Sequence, residues 1–130
     1  MILISFADQP ERIWGAANWI GRRLFRDMVA LVPNDTHLIE ALETAEAHQC
    51  LFLEETDRIS NPQLVEQLET VLRRTVRATL TKTGDSALLR WEEGLSPEDR
   101  EVYLRAIREL AALLEVEEKR RSQSRTNSRN

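Results

Sequence analysis

Asn61-Pro62-Gln63-Leu64-Val65-Glu66-Gln67-Leu68-Glu69-Thr70-Val71-Leu72 is the stretch on which the reading of the fold turns. Asparagine followed by proline is a helix start. The Asn side chain accepts from an unpaired first-turn amide, and proline lacks an amide that would have had no helical partner anyway. Leu64, Leu68, Val71, Leu72, Thr75, Val76 and Thr79 then step by three or four, the period of one helix face.

The same grammar recurs outward from this stretch. Asp8 precedes Gln9-Pro10, Pro33 is followed by Asn34, Asp35 and Thr36, and Ser96-Pro97-Glu98-Asp99 places acids where the helix dipole favours them. Ile13, Ala17, Ile20, Leu24, Met28 and Leu31 share one face. Leu38, Leu42, Ala45, Cys50 and Leu53 share another, and Tyr103, Ala106, Ile107, Leu110, Leu113 and Leu114 a third. The spacing predicts helices over roughly 10–32, 35–58, 62–82 and 97–120, with a short one near 86–93. No segment alternates with period two for long, although Met1–Phe6 suits one short strand or simple packing on the helices. The expectation is an all-α fold: a single-domain antiparallel bundle of four main helices plus a short one, over residues 1–120.

Composition bounds the function. The chain has 130 residues with 18 Lys plus Arg against 22 Asp plus Glu, a net charge of -4. That balance opposes a protein held to nucleic acid by bulk charge. The lone Cys50 cannot close an internal disulfide and suits a reducing compartment. No apolar run approaches the ~18 residues of a membrane span, and Met1–Phe6 is too short for a signal core. A cytoplasmic protein without a membrane partner is expected. Residues 121–130 hold arginines, Ser and Asn but no apolar side chain, which predicts a disordered basic tail.

Charge is unevenly spread. Asp35, Glu40, Glu43, Glu46, Glu54, Glu55 and Asp57 precede any Lys or Arg in their segment, whereas Arg22, Arg23, Arg26 and Arg73, Arg74, Arg77 form two triplets. The acids are either a solvated face paired with neighbouring arginines or a docking surface for a basic partner. Trp19 beside Arg22, Arg23 and Arg26 suits cation–π packing or a protein contact. Trp14, Phe25 and Val32 widen the apolar arc of the first helix, which is either central in its domain or covered by self-association. Asp27 and Glu46 point toward apolar lines and need partners if buried. Cys50, on an apolar face with no basic neighbour, reads as a small core residue.

No P-loop, dinucleotide fingerprint, nucleophile elbow or zinc spacing occurs, and neither His37 nor His48 completes a Glu-x-x-His pair. No cofactor or metal is implied, and no catalysis is expected. The leading expectation is a non-catalytic protein–protein interaction module, an adaptor, regulator or inhibitor. Trp14, Trp19, Arg22, Arg23, Phe25 and Arg26 would contact a protein partner or a second copy. One alternative is a nucleic-acid-associated regulator using Arg73, Arg74, Arg77 and the tail. Another is a helical enzyme or metal protein built on Asp27 and Glu46.

Overall fold

The computed structural model describes residues 1–81 and 94–128, with side chains as far as Gln123. Strand β1 (Ile2–Ser5) leads through a 3-10 turn at Pro10–Arg12 into β2 (Ile13–Ala16). Helices α1 (Asn18–Leu31) and α2 (Thr36–His48) follow, then β3 (Cys50–Phe52), α3 (Glu55–Ser60), α4 (Pro62–Thr81) and α5 (Pro97–Ser128). The chain is mostly helical, with a three-stranded sheet in the order β2-β1-β3. This corrects the all-α expectation.

Both errors of element type have a local cause. Ile13-Trp14-Gly15-Ala16 matches helical spacing in part, yet it pairs antiparallel with β1 from Ile2↔Ala16 to Ser5↔Ile13. β-Branched, aromatic and glycine residues favour that outcome over helix. The expected second helix is broken at Gln49, whose φ of 59° is left-handed, a helix-ending conformation. The next four residues, Cys50-Leu51-Phe52-Leu53, are consecutive apolar side chains that no single helix face can bury. They run parallel to β1, with Ile4 opposite Leu51.

The sheet is driven into the helical layer. Ile2, Ile4, Ser5 and Phe6 are all buried. A Cβ on Gly21 of α1 would stand 2.6 Å from Cβ of Ile2, so only glycine lets that helix lie so near β1. Trp14 donates its indole N–H to the carbonyl of Ala106 at 2.9 Å, tying β2 to α5. Helix α4 packs against α1, α2, α3 and α5, and its Leu68, Leu72, Thr75, Val76 and Thr79 are buried as the spacing predicts.

Helix α5 is described as far as Ser128, past the domain boundary expected at residue 120. Its apolar stripe Tyr103, Ile107, Leu110, Leu114 continues through Glu117 to Arg121 in steps of four and three, so the helix stays docked through ion pairs once the apolar residues end. The expected short helix near 86–93 lies outside the described residues.

Candidate functional site

A concave surface lies where α2, β3 and the first turns of α4 meet. Helix α2 presents a stripe of His37, Glu40, Ala41, Thr44, Ala45 and His48, each three or four from a neighbour. Asp35 starts this helix by accepting from the Leu38 amide at 3.1 Å. Because Ala41, Thr44 and Ala45 are small, the helix does not fill the space beside β3. A groove of about 460 Å³ remains, closed on the other sides by Cys50, Leu51, Phe52, Leu64 and Leu68. Phe52 keeps 54% of its surface exposed, unusual for a large aromatic side chain.

The strand beside this groove is an edge. Leu3 donates to the Gln49 carbonyl at 2.9 Å and Leu53 donates to the Ser5 carbonyl at 2.8 Å. In a parallel pair alternate residues bond a given neighbour, so Gln49, Leu51 and Leu53 face β1. The amides and carbonyls of Cys50 and Phe52 therefore face the open side. Among the described residues nothing pairs with that side of β3.

Charge in the groove has one sign. Glu40 is in its wall, and among the described residues no Lys or Arg is. Burial, and then the nearby Glu54 and Asp57 carboxylates, push the Cys50 thiol above its ordinary range. A raised thiol is a poor nucleophile at neutral pH, and Cys50 is half-buried groove wall, not the full core residue expected of it.

The residues singled out from the sequence do not converge. Trp14 is 4% exposed in β2 and Phe25 1% exposed in α1, so both side chains are packed inside the chain. The wide apolar arc of α1 is used up inside the chain, because this helix meets β1, α2 and α4. Trp19 is half-buried and packs on Tyr103, with ring centroids 6.3 Å apart. Arg22 lies 3.9 Å from Glu46, an exposed pairing between α1 and α2. Arg26 is exposed and borders a depression with Phe25, Val29, Leu42, Glu43 and Glu46. The Glu43–Glu46 side of α2 thus faces the arginines of α1, and the His37–Glu40 side faces the groove. Arg23 acts on Asp27. In the second triplet, Arg73 donates to the Leu114 carbonyl at 3.3 Å and lies 3.5 Å from Glu118, while Arg74 and Arg77 are exposed.

The two carboxylates expected near the core have different neighbours. Asp27 is half-buried, and burial raises its pKa to about 7 against the opposing pull of Arg23. Its Oδ2 has no hydrogen-bond partner among the described residues. Burial, together with the Asp27 carboxylate, also raises the Tyr103 hydroxyl. Glu46, by contrast, is paired at the surface with Arg22. Among the described residues no three His, Cys, Asp or Glu side chains converge as a metal site.

Two carboxylates not singled out from the sequence are the buried ones. Glu117, 3% exposed, accepts from Arg12 Nε at 2.7 Å and Nη2 at 2.9 Å. Glu69 accepts from Arg58 at 2.7 Å and from both terminal nitrogens of Arg121. Burial works to raise the Glu69 pKa, but the Arg121 and Arg58 hydrogen bonds outweigh it and the net direction is down. The signal was present in the spacing: Glu69 sits on the Val65–Leu72–Val76 line and Glu117 on the Leu110–Leu114 line.

No protein-family model, curated protein or solved structure matches the chain. Among the described residues no helix is long and apolar enough to cross a membrane.

Proposed function

We propose that the protein is a non-catalytic interaction module, an adaptor, regulator or inhibitor, that engages a protein partner through the groove between α2, β3 and α4. The observation that carries this reading is an exposed Phe52 on an unpaired strand edge beside a mostly apolar groove. Exposed aromatic and backbone groups gathered in one concavity are what a partner gains by covering. Full burial of a side chain such as Phe52 contributes about 1.5–3 kcal/mol before association costs. The half-buried Cys50, lone in the sequence, suits the reducing cytoplasm, where we place the protein.

This reading favours the groove side of α2 over α1, the surface favoured by the sequence, because Trp14 and Phe25 are buried and Phe52 is exposed. A benzophenone side chain introduced at Thr44, in the groove wall, tests this against the same group at Glu98, an exposed position on α5. Irradiation in cells is expected to join a polypeptide to the Thr44 protein and not to the Glu98 protein. The added change Phe52→Ser should abolish the adduct. A Thr44 protein that captures no more than the Glu98 control sinks the reading.

A further inference from the structure

Resting on that reading of the groove, we propose that its occupant is an extended peptide carrying lysine or arginine, which adds as a fourth strand to the open edge of β3. Three independent features converge on this occupant. The Cys50 and Phe52 backbone groups face outward, and an added strand satisfies them with hydrogen bonds of the kind that already join β1 to β3. The edge is three residues long, about 10 Å, so a peptide of four to six residues spans it. The small side chains Ala41, Thr44 and Ala45 leave room on one face for the apolar residues of such a strand.

Charge selects the peptide's other residues. Glu40 borders the groove, and Glu54 and Asp57, which follow β3 and cap α3 with Glu54 also accepting from the Ser5 hydroxyl, add negative charge near Cys50. Among the described residues no Lys or Arg in the groove wall offsets them. A cationic peptide side chain gains there, and an anionic one is repelled. The same argument selects against a second copy of this chain. Pairing two β3 edges would bring two identical acidic sets together, whereas a basic strand neutralises one.

The test uses the full chain, labelled with 15N, and two fluorescent heptapeptides: one alternating lysine and valine, the other alternating glutamate and valine. The lysine peptide is expected to bind saturably, and the glutamate peptide at least about tenfold more weakly. On binding, hydrogen exchange at the Cys50 and Phe52 amides should slow, while Leu51, already bonded to β1, changes little. N-methylation of alternate peptide amides on the pairing edge should weaken binding about tenfold, and methylation of the other edge should not. The charge reversal Glu40→Lys should also weaken it.

Binding that ignores N-methylation or leaves the two amides unprotected overturns the strand mode. If Thr44 still captures a polypeptide in that case, the module reading stands. Equal binding of both peptides overturns the charge assignment. A Thr44 adduct formed solely with a second copy of this chain overturns the proposal, and absence of both peptide binding and any adduct overturns both readings.

Discussion

The end of the molecule where β2, α3, α4 and α5 meet and the groove between α2, β3 and α4 are built from similar material and finished differently. Each combines apolar helix faces with carboxylates. At the first, every buried carboxylate has arginines: Glu117 has Arg12, and Glu69 has Arg58 and Arg121. At the second, among the described residues, Glu40 lies in a wall with no Lys or Arg, and the neighbouring strand has an unpaired edge. The difference teaches that the acidity of residues 35–57 is not uniform in meaning. On one side of α2 it is matched by α1 through Arg22 and Glu46, and on the other Glu40 stays exposed beside the groove. Burying a charge without its counter-ion is costly, so the matched end serves folding. Leaving one exposed beside a groove costs little stability and is available for recognition.

The comparison breaks first at Glu117. Replacing Glu117 with Ala leaves the Arg12 guanidinium part-buried and unpaired, and the expected loss is about 3 kcal/mol in chemical denaturation. A loss below ~1 kcal/mol would show that the matched end is a surface feature after all. Next in size is Gly21→Ala, where the methyl collides with Ile2 on β1, the strand that pairs with both β2 and β3. A loss of roughly 1–3 kcal/mol is expected, and an unchanged midpoint would mean that α1 does not lie as close to β1 as described.

Asp27 sharpens the comparison with a carboxylate that has a nearby arginine but whose Oδ2 has no hydrogen-bond partner among the described residues. Its pKa is raised in the fold to about 7 from an ordinary 3.8, so the folded protein holds the proton more tightly than the unfolded one. Its contribution to stability is thus full below about pH 4 and is lost as pH rises through 7. Asp27→Asn should be more stable than the parent at pH 8 by up to about 2 kcal/mol, allowing for partial exposure, with the two alike near pH 4. Glu69 has the opposite sign: its lowered pKa supplies stability above about pH 4.5 that is lost as the pH falls further. A larger advantage for Asp27→Asn in acid than in base would contradict the Asp27 assignment.

Smaller again is removal of residues 121–130. Glu69 then loses Arg121 but keeps Arg58, so a loss of about 1 kcal/mol is expected where Arg58→Ala costs more. Equal melting temperatures for the parent and the truncated chain would return the tail to the status that its composition suggested.

Long elements were legible because they declare themselves locally. Helix α4 occupies Pro62–Thr81, within one residue of the span read from its start signal and apolar steps. Helix α5 begins at Pro97, with the Asp99 amide donating to Ser96 Oγ at 3.1 Å as that signal implies. Each needs little beyond its own hydrogen bonds and one apolar face. Of the sheet, the sequence offered β1 as one short strand within Met1–Phe6, and β2 and β3 could not be read this way. Four residues at Ile2–Ser5, four at Ile13–Ala16 and three at Cys50–Phe52 are too few to display a period of two. What makes them strands is pairing between Ile4, Trp14 and Leu51, which lie far apart in sequence.

The candidate site shares that origin. By itself the sequence determined the acidic character of residues 35–57, the small residues on one face of α2 and the lone thiol at Cys50. The tertiary structure alone decided that β3 is an edge, that Phe52 is exposed while Trp14 and Phe25 are buried, and that the arginines serve Glu69 and Glu117 instead of Glu40. Backbone hydrogen bonds within a helix join residues four apart, whereas strand pairing and buried ion pairs join residues whose proximity exists only after the chain has closed on itself.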